Sequence, residues 1–284
     1  ILSEWSNVAP LNGPNDRFAT LQRLRTQVEI ISSNALKGVV FFEIGDTNWG
    51  KASEGGALGT DAKNIEVRYS YVDWQVPKTD LRVRMGLQPF SLPNFVAGDP
   101  IMGSDDSDGA GITLSTQFTK NIGATLFWLR AENDNTDSAT DYGKQYHYSD
   151  AMDFTGITLP LKFDGVKVTP WAMYGALGRD SFTNTADNKD SGVVNDLLPT
   201  GVDGAMLKGV DLDRHGNAWW VGVASELTYF DPFRSALDAA YGSADMGSIG
   251  GFDVERSGWF ASILGEYKMD YFTPGILFWY ASGD

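Results

Sequence analysis

The sequence predicts an all-β protein, a transmembrane antiparallel up-and-down β-barrel, and three observations carry that prediction. Short segments with an apolar residue at every second position recur along the chain. The connections between them alternate between short and long. Where the alternation is clearest, arginine and glutamate stand on the face opposite the apolar one. Side chains alternate faces along a strand, so such a segment suits a wall with lipid on one side and water on the other.

Composition narrows the class further. The 32 glycines and 13% aromatic residues favour strands, and no segment repeats apolar residues at helical spacing. No run of 18 apolar residues exists, which excludes a membrane-spanning helix and leaves strands as the way across. A formal charge of −15 argues against a nucleic-acid partner, which requires clustered cations. With no cysteine and two isolated histidines, His147 and His215, there is no thiol nucleophile and no zinc-type ligand spacing.

The elements follow in order. "LSEWS" near the N-terminus reads as a first strand, and residues 17–32 as the second. In "RFATLQRLRTQVE", Arg23, Arg25, Gln27 and Glu29 share one parity, while Leu24, Val28 and Ile30 share the other. The short "SSNALK" leads to a strand at about 36–46, and a long polar connection follows. Strands at about 65–75 and 80–88 are joined by "VPKTD". In the first, Ile65, Val67, Tyr69 and Tyr71 oppose Glu66, Arg68 and Ser70; in the second, Leu81, Val83, Met85 and Leu87 oppose Arg82, Arg84 and Gln88. The long connection 89–111 precedes strands at about 111–118 and 122–132, joined by "TKN". Residues 133–152 are polar, and strands at about 154–163 and 166–178 hinge at Asp164–Gly165, a favourable tight-turn pair. The longest connection, 179–216, comes next. Strands at about 217–229 and 233–242 meet at "FDP", and strands at about 258–267 and 272–281 meet at "KMDY". In the first of these, Trp219, Val221, Val223, Leu227 and Tyr229 oppose Gly222, Ala224, Glu226 and Thr228.

Aromatic residues gather near strand ends, among them Trp49, Trp74, Trp171, Tyr229, Phe230, Phe233, Tyr271 and Phe272, as interfacial girdles require. The pattern describes one barrel domain over residues 1–284 with about thirteen strands. Bacterial single-chain barrels have even strand numbers. The expectation is therefore a sixteen-strand barrel in full, whose C-terminal strands lie beyond Asp284. Thr20, Gln22 and Thr26 are poor lipid-facing residues, so the first strands are expected to face neighbouring subunits.

The segments "DRFATLQRLRTQVEIISSNALKGVVFFEIGDTNWGKASEGGALGTD", "VRMGLQPFSLPNF", "LPLKFDGVKVTPWAMYGALG", "AWWVGV", "TYFDPFRSALDAAYG" and "EYKMDYFTPGILFWYASGD" resemble the outer-membrane homotrimeric porins of sulfate-reducing bacteria of the Desulfovibrio type. The resemblance runs from about Phe18 to Asp284 and lies in the order and spacing of the segments. It implies location in a bacterial outer membrane, contact with lipid and lipopolysaccharide, assembly as a homotrimer, and passive diffusion of ions and small hydrophilic solutes.

The candidate site is then a pore wall. Its basic residues are Arg23, Arg25, Arg68, Arg82 and Arg84, and its acidic ones Glu29, Glu43 and Glu66. The same carboxylates are candidates to brace adjacent strands by pairing with the arginines. The connection 89–111 resembles by position the loop that narrows general porins, and carries Asp99, Asp105, Asp106 and Asp108, stiffened by Pro89, Pro93 and Pro100. Arginines facing acidic loop residues would set a transverse field across the narrowest section. No cofactor is implied. "DDSDG" allows adventitious calcium but lacks the full EF-hand pattern and its terminal glutamate. An enzyme is not expected: no spacing selects a carboxylate pair, and neither histidine lies beside a nucleophile elbow. The alternative class is a soluble or surface β-protein that binds carbohydrate through its tryptophans.

Overall fold

The computed structural model describes residues 2–5, 16–19, 21–48, 65–93, 108–133, 151–179, 213–249 and 251–282. Every regular element among them is a strand. The order is β1 (Leu2–Trp5), β2 (Asp16–Ala19), β3 (Leu21–Ser33), β4 (Leu36–Asn48), β5 (Glu66–Gln75), β6 (Arg82–Pro89), β7 (Asp108–Gln117) and β8 (Gly123–Asn133). It continues with β9 (Ala151–Thr158), β10 (Leu161–Phe163), β11 (Val166–Leu177), β12 (Gly216–Leu227), β13 (Phe233–Ile249), β14 (Phe252–Tyr267) and β15 (Gly275–Ala281).

The fold is an antiparallel up-and-down sheet of thirteen strands, β3 to β15, with β1 and β2 paired in a separate two-stranded sheet. The chain divides into two compact units, Ile1–Val72 and Asp73–Asp284. In the first, β3 pairs with β4 across the two-residue turn Asn34–Ala35. In the second, the order runs β6, β7, β8, β9, β11, β12, β13, β14, β15, with the short β10 on β11. Apart from the short β10, each strand therefore lies beside its neighbour in sequence, joined at one end by short turns and at the other by longer connections.

The expected strand 17–32 is matched by β2 and β3 on either side of Thr20, which lies outside the described residues. One expected boundary changes. Residues 243–257 were expected to fall between strands. Instead β13 and β14 extend to 17 and 16 residues, with Ile249 paired to Phe252 at the end of the hairpin. The polar composition of "SADMGSIGGFDVERS" hides that extension. A bulge between Asp245 and Ser248 interrupts its register, with Gly247 at φ 72°, a conformation that glycine adopts freely. The short–long alternation of connections breaks at this hairpin.

In the second unit the sheet has one exposed and one covered face. Across the register, Val83, Leu114, Leu126, Ile157, Ala172, Val221, Tyr241 and Trp259 make an unbroken apolar row over eight strands. Leu126, Val221 and Trp259 in that row are 51%, 45% and 47% exposed. At the short-turn ends Phe118, Phe163, Tyr229, Phe230, Phe233, Tyr271 and Phe272 are also exposed. Trp128, Tyr174 and Trp219 stand toward the opposite end. Just past Trp128, Arg130 pairs with Asp153, bonding both carboxylate oxygens at 2.7 and 2.9 Å.

Candidate functional site

The charged side chains come together in two groups, one in each unit. In the first, Arg25 stands opposite Glu43, and Gln27 opposite Phe41, in the β3–β4 register. This follows from the turn at Asn34–Ala35, which brings the polar parity of β3 beside the Lys37–Val39–Phe41–Glu43 parity of β4. Glu43 is the hub. Its carboxylate receives Arg25 at 2.7 Å, Arg23 at 3.2 Å and Arg68 at 3.5 Å. The Glu43 side chain is 11% exposed, whereas those of Arg23 and Arg25 are 43% and 37% exposed. Glu29 pairs instead with Lys37 at 3.1 Å, and Glu66 is exposed at the start of β5.

Tyr69 was expected on the apolar face opposite Arg68. It stacks on Phe41 at 4.6 Å and its hydroxyl donates to Gln27, so it stands with the polar side of β3. Tyr71 follows at 5.8 Å from Tyr69.

In the second unit the hub is Asp73, a residue that sequence reasoning missed. Arg82 grips both of its oxygens in a bidentate pair, and Arg84 adds a bond at 3.1 Å. Asp73 is 5% exposed. The signal was present in the hairpin. Val76 N–H donates to Leu81 at 2.8 Å across "VPKTD", and counting back from that pair sets Asp73 beside Arg84. Parity along β5 alone grouped Asp73 with Tyr69 and Tyr71 on the apolar side, and so concealed it.

Around these arginines the covered face is polar. Thr113 donates to the buried Gln88 at 2.8 Å, and the Ser115 and Thr125 hydroxyls meet at 3.0 Å. Farther along the same face the chemistry changes. The row Arg82, Ser115, Thr125, Thr158 continues as Trp171, Gly222, Ala240 and Phe260. Trp220, Phe154 and Leu129 are fully buried there. Toward the short turns the face is charged again, where Arg234 bonds Glu226 at 2.6 Å and also reaches Glu266.

Of the candidate loop residues, Asp108 opens β7, while Asp99, Asp105 and Asp106 lie outside the described residues. The start of that connection is described. Phe90 packs on Phe127 with ring centres 4.3 Å apart, and Leu92 is 3% exposed within the same apolar cluster. At the far end of the long 178–215 connection, Asp213 accepts from Ser248 N–H at 2.7 Å, and Arg214 bonds both oxygens of Asp245 at 2.9 and 2.8 Å. Asp245 and then Asp213 raise the Arg214 pKa above its ordinary value. His215 accepts from the Arg179 backbone N–H at 3.2 Å. No group of three metal-ligating side chains occurs among the described residues.

No protein-family model matches the chain, and no curated protein matches it. Solved structures do. OmpT, an outer membrane protein of Vibrio cholerae, in a trimer form, is similar at 10% identity over 96% of this chain and 84% of that one, with a TM-score of 0.42. A triple mutant of the Rhodopseudomonas blastica porin is similar at 9% identity over 96% and 90%, with a TM-score of 0.38. Another porin is similar at 13% identity over 94% and 90%, with a TM-score of 0.42.

Proposed function

We propose that this chain is a porin of a bacterial outer membrane, a non-enzymatic water-filled channel for passive diffusion of ions and small hydrophilic solutes. The observation that carries the reading is the two-faced sheet of the second unit. One face presents an apolar row eight strands wide, bordered by exposed aromatic residues, and the other holds buried charge. An exposed apolar surface of that extent is far larger than water-soluble monomers carry. Closed antiparallel strands also satisfy backbone polar groups in lipid.

In this reading Arg23, Arg25, Arg68, Arg82 and Arg84, with Glu29, Glu43 and Glu66, line the channel. The connection between β6 and β7, with Asp99, Asp105 and Asp106, narrows it, and Asp108 stands where that connection enters β7. Residues 1–284 belong to one barrel domain, which assembles as a homotrimer of the kind its segments resemble.

The test is reversal potential in planar bilayers under a salt gradient. Arg82→Gln with Arg84→Gln should shift selectivity toward cations, and Asp105→Lys with Asp106→Lys toward anions. Variants that assemble yet keep wild-type selectivity would remove the charged constriction. Monodispersity in detergent-free buffer would favour a soluble carbohydrate binder and remove the channel altogether.

A further inference from the structure

The covered face of the second unit has two chemistries, and a uniform water-lined wall has one. On β6 and β7 it bears Arg82, Arg84, Thr113 and Ser115, all partly exposed or exposed. On β8 to β13, in the half toward the long connections, it bears Leu129, Phe154 and Trp220 at zero exposure. A pore wall that meets water does not bury nine-tenths of its large side chains, since wetting them forfeits about 1.5–3 kcal/mol per residue.

The register explains how these side chains lie. Each bulky one faces a glycine on the next strand: Leu129 opposite Gly111, Phe127 opposite Gly156, Phe154 opposite Gly175, Trp171 opposite Gly222, Trp220 opposite Gly242. A Cβ on Gly175 would meet both Phe154 and Trp220, at 3.1 and 3.2 Å. The rings therefore rest on the backbone of their neighbours. Phe90 and Leu92, from the segment leaving β6, join the same cluster, Phe90 against Phe127.

We propose that the conducting path is one-sided. Water and ions follow the wall of Arg82, Arg84, Thr113 and Ser115. The outer half of β8–β13 is a dry packed core, to which Phe90 and Leu92 fasten the start of the β6–β7 connection. This inference rests on the channel reading, deepens it, and names the residues that shape the path.

The chain contains no cysteine, so single cysteines report on each wall without background. Ser115→Cys samples the polar wall, and Ala218→Cys and Ala244→Cys, both at zero exposure, sample the proposed core. The trimeric or monomeric protein in liposomes is treated with a membrane-impermeant cationic thiosulfonate. Cys at 115 should react at least about tenfold faster than Cys at 218 or 244, because a thiol buried in apolar surroundings is inert. Comparable rates at all three positions would overturn the proposal. Labelling is read by mass and does not depend on conduction. Failure of the channel reading therefore shows as absent conductance with the labelling contrast intact. A second variant, Phe90→Ser with Leu92→Ser, should raise single-channel conductance and the labelling rate of Cys introduced at Phe127. An unchanged rate and conductance would show that the fastening is not there.

Discussion

Asp73 and Glu43 illustrate how a carboxylate can be worth more than the arginines around it. Asp73 is 5% exposed and holds two guanidinium groups, whereas the Arg82 side chain is 49% exposed. Charge-assisted hydrogen bonds to a buried group contribute about 1.5–3 kcal/mol, and half-exposed ion-pair partners contribute under about 1 kcal/mol. Asp73→Asn is accordingly expected to destabilise by about 2 kcal/mol and Arg82→Gln by less than half of that, as urea titrations of refolded protein would measure. Glu43→Gln should likewise cost more than Glu29→Gln, whose pair with Lys37 is a third exposed on each side. Two other buried groups differ in kind. The indole N–H groups of Trp171 and Trp220 have no hydrogen-bond partner among the described residues. No hydrogen bond is lost when such a donor is removed, so Trp220→Phe should cost only its smaller cavity, about 1–2 kcal/mol, against about 3–5 kcal/mol for Trp220→Ala. A Phe variant as damaged as the Ala variant would reveal a polar partner for that indole.

At the scale of the strand, parity and register together decide which residue meets which medium. Val221 lies on β12 in the middle of the exposed apolar row. An arginine facing the bilayer midplane costs about 2–4 kcal/mol, so Val221→Arg should lose that much, while Ser115→Glu, a charge set beside Arg82 on the opposite face of the sheet, should lose little. Folding into vesicles of defined lipid distinguishes the two. The glycine-and-ring pairs make a second claim at this scale. A Cβ at Gly222 would intrude on the Trp171 indole, whereas one at Gly265 meets nothing within 4 Å. Overpacking costs about 1–3 kcal/mol, so Gly222→Ala should destabilise by that amount and Gly265→Ala should be near neutral. Equal effects of the two would mean that the ring does not rest on β12 as described.

For the whole molecule the consequence is dependence on an apolar solvent. The row from Val83 to Trp259 would lie against water if the protein were soluble, and several of its residues are near half exposed. The protein should therefore precipitate on detergent removal and recover on return to micelles. Native mass measurement in mild detergent should show three copies, in line with the hydroxyl- and amide-bearing Thr26 and Gln22 of β3. Monomers alone would count against the trimer and leave the strand-level claims standing.

Much of this was legible in the sequence because it is local. Strand alternation is a property of consecutive residues, and it located β4, β5, β6, β8, β11 and β12 to within a few positions. The turns "VPKTD" and Asp164–Gly165 needed only their own residues to be recognised. That the wall arginines could pair with Glu29, Glu43 and Glu66 was legible too, but Arg25 met Glu43 only through the β3–β4 register. What the tertiary structure decided depends on register between strands, which no single strand encodes. Asp73 joined Arg82 and Arg84 only when the β5–β6 turn set their alignment. The long β13–β14 hairpin was hidden because its polar residues form a strand only with a partner beside them. The glycine opposite each large ring of the covered face is visible in the sequence as a glycine. Its purpose appears only when cross-strand pairing lays an indole or phenyl ring over it, because side-chain packing across strands joins residues far apart in the chain.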